Sequence, residues 1–420
     1  MGIPKESLMN LYRREKYLSK IRPFFHDEGM IKVIVGVRRC GKSCIMQTIA
    51  DELEGSGVPA NNIIYLDLDE RKNRKIKTPD QLEALIDAAA EAADASRTRY
   101  LFIDEVQNVE DFEPLINGYR TDGGWSIFLT GSNAYLLSGE LVTKLTGRYL
   151  EFEAFTLDFD EYLDMKQMLG RAVNPNLDIE FSNYLRTGGF PGSLGYEDDD
   201  QKRVYVEGII EEIFEKDIKR RVKVRHVSVF NTVRDYLINN YGATTSITNL
   251  LNHFNNVEHI PIKRETLNRY IQILVDAKVL YRCQRFDMKS RRSLQREEKY
   301  YLADLGFYFA RNTDNRINYG PALENVVYHA ARSKGYAASV GRIGALECDF
   351  VLRGSLDGYS YVQVAMTIAE RSTEDREYAS LEKIKDNYPK YLLTMDRLLQ
   401  RRNGIKHLNI VDFMASNEDF

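Results

Sequence analysis

Cysteine is scarce in this chain, with four in 420 residues, at Cys40, Cys44, Cys283 and Cys348. Their spacing forms neither a metal-binding pair nor a disulfide framework, which excludes a cysteine-stapled secreted scaffold and points to a reducing compartment. No segment approaches the roughly 18 apolar residues that a membrane-crossing helix needs. The first residues also lack a secretory apolar core, so a cytoplasmic protein without a membrane partner is expected. Charge of one sign is not in excess either. A net charge of -4 excludes a globally basic nucleic-acid binder and confines any such contact to a local patch. What is present, 43% hydrophobic and 29% charged residues, is globular, and the length exceeds one hydrophobic core, so two or three domains are expected.

Between the apolar run Ile31 to Val35 and a helical pattern from Ser43 to Leu53 stands Gly36-Val37-Arg38-Arg39-Cys40-Gly41-Lys42-Ser43. This is a complete G-x-x-x-x-G-K-S loop in its strand-loop-helix setting. Its glycines let backbone N–H groups turn inward on a phosphate, and the following helix adds its positive N-terminal end. Gly36 through Cys44 are the candidate nucleotide-binding residues. Lys42 would reach the β- and γ-phosphates, and Ser43 would put its hydroxyl on Mg²⁺. Cys40 reads as a small filler within the loop.

Two further segments supply candidate chemistry. Arg99 to Glu105 is an apolar strand ending in two carboxylates, the form of a Walker B element. Asp104 would hold Mg²⁺ and Glu105 would polarise the attacking water. Ser126 to Asn133 is a strand ending in small polar groups. In this class a strand between the two Walker strands presents a polar sensor, so Ser132 and Asn133 are the candidates. Arg148 has two readings, a finger acting on phosphoryl charge from a neighbouring subunit or a structural partner of an acid in Glu151 to Glu153.

Up to about residue 156 the chain alternates strand and helix, with strands at Val33, Ile63 to Leu68, Tyr100 to Asp104, Ile127 to Thr130 and Leu150 to Phe155. That alternation builds a parallel sheet with the ligand at the carboxyl ends of its strands. Residues 157–225 turn helical, interrupted by Thr187-Gly188-Gly189-Phe190-Pro191-Gly192, and read as a helical lid. Residues 226–317 show three helices, Val229 to Tyr241, Ile247 to Phe254 and Lys263 to Lys278. Strands Val279 to Arg285 and Lys299 to Leu302 follow, and together these read as a winged helix. Residues 281–299 hold seven Lys/Arg (Arg282, Arg285, Lys289, Arg291, Arg292, Arg296, Lys299) against three acids. With Lys263, Arg264 and Arg269 on the presumed recognition helix, this is the most plausible footprint for DNA. Such modules also bind proteins or act as spacers.

The last segment, 318–420, carries Glu324 at a helix start, then Glu347-Cys348-Asp349 and Gln363-Val364-Ala365. With Thr130-Gly131-Ser132, Thr146-Gly147-Arg148, Gly188-Gly189-Phe190-Pro191 and Asp375-Arg376-Glu377, the whole chain resembles the prokaryotic AAA-type ATPases that carry a C-terminal domain similar to PD-(D/E)xK restriction endonucleases. The resemblance implies an α/β protein with an AAA-like P-loop core, a helical lid, a winged helix and a nuclease-like α/β domain. It also implies ATP as the nucleotide. In such nucleases a helix acid, a strand aspartate and an E-x-K gather Mg²⁺. Glu324 and Asp349 match the first two, but Gln363 and Ala365 replace the Glu and the Lys. Glu347, on the same strand face as Asp349, restores part of a metal site but no lysine. The expected activity is therefore Mg²⁺-dependent ATP hydrolysis with a degenerate nuclease-like domain. The alternatives are an ATP-gated binding switch with slow turnover and an ATP-dependent DNA nuclease. A homo-oligomer or an unidentified protein partner is left open.

Overall fold

Five short apolar segments become parallel strands, and the alternation of their sequence with helices is the reason. The computed structural model describes residues 11–131, 145, 147–219, 224–290, 292–312, 316–354 and 358–420. The chain divides into two compact units, 1–154 and 155–420.

In the first unit, β1 (Ile31–Val35), β2 (Ile63–Asp67), β3 (Arg99–Asp104), β4 (Trp125–Thr130) and β5 (Tyr149–Glu153) form one sheet in the order β2-β3-β4-β1-β5. Every pairing is parallel. β1 and β4 are buried along their whole length, which is why they read as continuous apolar runs and not as alternating ones. Lys32 is the polar exception in β1. Its ammonium donates to the carbonyls of Asp27 and Met30 and to Ser126 Oγ, and burial lowers its pKa to about 8. Among the described residues four helices accompany the sheet: α1 (Glu15–Ile21), α2 (Lys42–Gly55), α3 (Pro79–Ala90) and α4 (Glu113–Asp122). Thr78 and Gln81 cap α3 reciprocally, satisfying its first free N–H groups.

The second unit begins with α5 (Phe159–Met168), α6 (Leu177–Thr187) and α7 (Asp199–Glu212), in the segment where a lid is expected. Asp198 caps α7, giving the acidic run 197–200 a local role. After α6 the chain turns at Gly188, whose φ of 79° suits glycine, and a Cβ there would lie 1.9 Å from Asp304 Oδ1. Asp304 is buried and accepts from Gly189 N at 2.9 Å and from Gly306 N at 2.7 Å. The double-glycine turn is thus pinned by a carboxylate 115 residues away in sequence. Burial pushes the Asp304 pKa up to about 6.

Helices α8 (Val227–Asn239), α9 (Ile247–Asn252) and α10 (Arg264–Asp276) precede a hairpin of β7 (Leu280–Asp287) and β8 (Arg292–Leu302), with the short β6 (Thr244–Thr245) beside β8. The hairpin is longer than expected, because much of the basic stretch read as a connection is strand. Helices α11 (Gly306–Arg311) and α12 (Tyr319–Ser333) follow, then β9 (Ala337–Ile343), β10 (Leu346–Arg353), β11 (Tyr359–Val364), α13 (Arg371–Lys383), β12 (Lys390–Thr394), β13 (Arg401–Arg402), β14 (Ile405–Asn409) and α14 (Ile410–Ser416).

The boundary expected near residue 317 is crossed by the sheet. One nine-stranded sheet runs β13-β14-β12-β11-β10-β9-β7-β8-β6. The join is the parallel pairing of β7 with β9, in the register Arg285↔Val340 to Asp287↔Arg342. A hairpin edge has free backbone N–H and C=O groups, and the later strands satisfy them.

Candidate functional site

The carboxyl ends of β1, β3 and β4 carry the polar groups, and β4 lies between the two strands that hold the Walker elements. The loop after β1 is closely packed. A Cβ on Gly36 would lie 2.1 Å from the Ala154 carbonyl oxygen, and Cys40 Sγ sits 3.3 Å from the same oxygen. The cysteine is thereby a filler between loop and strand end, with no reactive exposure. Arg39 and Gly41 have φ of 66° and 102°, so the loop bends through the left-handed region immediately before α2. Arg14 reaches it from outside, donating to the Cys40 carbonyl at 3.0 Å.

Lys42 is buried at 5% exposure, and its ammonium donates to the carbonyls of Gly36 and Val37, both at 3.2 Å. Its charge is therefore held over the mouth of the loop. Ser43 hydrogen-bonds Asp104, and so does Thr130, whose Oγ1 donates to Asp104 Oδ1. The same Thr130 oxygen accepts from Glu105 N at 3.1 Å. Glu105 is held at φ 57°, a left-handed conformation uncommon outside glycine, and Gln107 Nε2 donates to its carboxylate. Tyr65, from β2, donates to Asp104 Oδ2 at 3.4 Å. Burial is the largest cause that raises the pKa of both Asp104 and Glu105, and Lys42 opposes it in each case. Cys44, in the first turn of α2, has its thiol raised by burial and by the nearby Asp104.

Two carboxyls, Asp104 buried and Glu105 half-buried, beside one ammonium are short of positive charge, and a serine hydroxyl with an aspartate is a hard-oxygen donor pair. Both observations fit Mg²⁺ brought in with phosphates. Among the described residues no set of three or more His, Cys, Asp or Glu is arranged to hold a metal ion without such a ligand. No helix among them is long and apolar enough to cross a membrane.

The remaining candidates fall differently. Ser132 and Asn133 lie outside the described residues. Thr130, missed in the sequence because it reads as the last residue of an apolar strand, is the polar group that touches both Walker B carboxylate residues. Arg148 is exposed, and among the described residues its guanidinium makes no ion pair, so the expected alternative of a partner in Glu151 to Glu153 is not formed. Trp125 begins β4 at the end opposite Thr130, buried against Tyr119 and under the Arg99 guanidinium.

A second polar cluster lies in the second unit. Lys299, on β8, places its ammonium 2.9 Å from Glu324 Oε2, 3.1 Å from Glu347 Oε1 and 3.9 Å from Asp349 Oδ1. Arg285 donates to the other Glu347 oxygen at 2.8 Å, and Tyr301 donates to Glu324 at 2.8 Å. Gln363 accepts from Asp349 N and donates to Glu377 at 2.9 Å. The three acids expected together do converge, but on a lysine that sequence proximity could not reveal, since it precedes Glu324 by 25 residues. Of the seven cations counted toward a basic footprint, Lys299 and Arg285 are thus turned to these acids, and Arg282 pairs with Glu298 at 3.2 Å. Lys263, Arg264 and Arg269 are exposed.

Residues 28–163 match the AAA domain family, and residues 178–316 match a domain of unknown function. The chain is 33% identical over 403 residues to an uncharacterized protein of Haemophilus influenzae, covering 96% of this chain and 98% of that one. It is 28% identical over 369 residues to an uncharacterized protein of Methanocaldococcus jannaschii, covering 85% and 79%. Among solved structures it is similar to a Walker-type ATPase of Pyrococcus abyssi, with a TM-score of 0.50, 16% identity and coverage of 72% of this chain and 98% of that one.

Proposed function

Since the chain belongs to the family of the uncharacterized Haemophilus influenzae protein and carries an AAA domain, we propose that it binds ATP with Mg²⁺ and hydrolyses the β–γ phosphoanhydride. The observation that carries this reading is the convergence of Lys42, Ser43, Asp104, Glu105 and Thr130 at one edge of the sheet. Lys42 exchanges its two loop carbonyls for phosphate oxygens, a stronger charge-assisted contact. Ser43 and Asp104 hold Mg²⁺, which offsets charge on the phosphates. Glu105 accepts a proton from the attacking water, and its raised pKa brings it closer to the range a general base needs. Thr130 fixes Glu105 by its backbone and Asp104 by its side chain, so both carboxylates are oriented before substrate arrives.

Lys42→Ala should abolish nucleotide binding, whereas Glu105→Gln should keep binding and lose turnover, because only the latter group acts on water in the transition state. Binding is read with a fluorescent ATP analogue, since Trp125 stands at the far end of its strand, and turnover by phosphate release. Equal hydrolysis by the wild type and Glu105→Gln would remove that role.

In this reading the second unit is the part driven by nucleotide state. Its C-terminal segment is nuclease-like but silent. The Lys299 ammonium stands among the three acids where a metal-dependent nuclease would need a divalent cation, and Gln363 and Ala365 supply neither the missing anion nor a cation. The residues present therefore do not fit a catalytic metal there. Lys263, Arg264 and Arg269 on α10, with the winged-helix reading of residues 226–317, remain the contact proposed for DNA.

A further inference from the structure

A cavity of about 490 Å³ opens in the second unit, within the range of about 300–1,000 Å³ common for ligand sites. Its lining shares no residue with the Lys299 cluster. Its walls are aromatic. Tyr359 packs at 5.5 Å and 70° to Tyr388, and at 6.3 Å to Phe286. Ile343 and Ile384 complete an apolar floor. The rim is cationic, with Lys289 from the turn after β7 and Lys383 and Lys385 from the end of α13. Among the described residues no ion pair or side-chain hydrogen bond engages the ammonium of Lys289 or Lys383. The acid of the lining, Asp386, is already held by the Tyr361 hydroxyl at 2.6 Å and by Lys390 at 3.7 Å.

The cavity is preformed. Asp287 Oδ1 accepts from the backbone N–H groups of Lys289 and Ser290, and Met288 N donates to the Arg342 carbonyl on β9. The turn that carries Lys289 is thereby tied to the sheet. Tyr388 presents its ring at 39% exposure.

Aromatic faces within a ring of cations suit a flat, π-rich group joined to anions. Cations from two separate segments suit phosphates on both sides of that group, which a polymer supplies and a mononucleotide does not. We infer that this cavity takes an unpaired base of a single-stranded nucleic acid, stacked against Tyr388 and Tyr359, with flanking phosphates on Lys289, Lys383 and Lys385. A duplex keeps its bases paired and stacked and cannot enter in this way. The inference extends the nucleic-acid part of the proposed function from helix α10 to the opposite end of the hairpin, and it is independent of ATP hydrolysis.

The test is fluorescence anisotropy with the full chain, an oligo-dT strand and an abasic strand of equal length. Wild type should bind oligo-dT about ten-fold more tightly than the abasic strand, since base–aromatic stacking contributes at that scale. Tyr388→Ala should erase the preference, and Tyr388→Phe should keep it. Lys289→Gln with Lys383→Gln should weaken both strands and flatten the salt dependence. With no nucleotide present, Lys42→Ala should leave all of this unchanged, so failure of the ATPase reading is told apart from failure here. Equal wild-type affinity for the two strands, or an oligo-dT preference that survives in Tyr388→Ala, overturns the inference. So does absence of any strand binding, which would leave the cavity to an apolar side chain of a protein partner.

Discussion

Among the described residues Thr130 makes two contacts that no other side chain at the site combines, and both can be removed without changing its shape. Thr130→Val keeps the branched side chain inside the sheet but frees Asp104 Oδ1 and the Glu105 N–H. Loss of a hydrogen bond that orients a metal ligand typically costs about 10–100-fold in metal affinity or activity. Phosphate release should fall by that factor with nucleotide binding retained, and unchanged turnover would show that Glu105 is positioned without it. Asp304 offers a test of a different sort. Its pKa is raised from 3.8 to about 6, so the folded chain keeps a proton that the unfolded chain has released. Stability supplied by this group is therefore greatest at low pH, declines as pH rises between those two values, and is level above them. Compared with Asp304→Asn, the wild type should lose up to ~3 kcal/mol across that window, read as the difference in melting temperature between the two proteins. A parallel pair of pH profiles would contradict the burial assigned to the carboxyl.

At the level of elements, β8 decides the state of the second cluster. It is the strand that carries Lys299 across to Glu324 on α12 and to Glu347 and Asp349 on β10. Burial and the neighbouring Glu324 raise the Asp349 pKa, while Lys299 opposes them. Removing one partner from a buried charged cluster leaves the others uncompensated, typically at about 3–5 kcal/mol. Lys299→Met preserves the apolar stem and deletes only the charge. It should lower thermal stability markedly at neutral pH, and the deficit should shrink as pH falls and Asp349, whose pKa is raised by burial, takes up a proton. A variant as stable as the wild type at neutral pH would mean that water, not protein, compensates these acids.

At the scale of the whole molecule, the proposed hydrolysis predicts a contribution from a second copy of the chain. Arg148 is exposed immediately before the edge strand β5, whose outer side no strand covers among the described residues. A cation so placed is available to a neighbouring copy. Arg148→Ala should depress turnover with little loss of nucleotide affinity. Mixing it with Glu105→Gln should restore part of the activity, because each variant supplies what the other lacks. No restoration, with a monomer by light scattering in the presence of ATP, rules out action between subunits.

The glycine-rich loop with its strand and helix, and the strand that ends at Asp104, were legible as conformations from the order of residues alone. Each depends on contacts between neighbours in the chain: glycines where φ is left-handed, a lysine at the helix start, acids at a strand end. Alternation of apolar runs with helical periods likewise sufficed for the parallel sheet of residues 1–154. Thr130 was hidden because a strand's last residue looks apolar by context, and its role follows only from the placement of β4 between β1 and β3. The double-glycine turn was visible as a turn, but its buried anchor Asp304 was not. The boundary at 317 and the basic footprint of the wing were read from local patterns, and strand pairing across that boundary altered both. A hairpin edge is completed by whichever strand satisfies its hydrogen bonds, and charges carried on it then face acids from distant segments. Local sequence specifies conformations and short motifs by short-range sterics and capping. Which charges meet, and whether a cluster of acids faces a lysine or a metal, is decided by long-range pairing that only the folded chain displays.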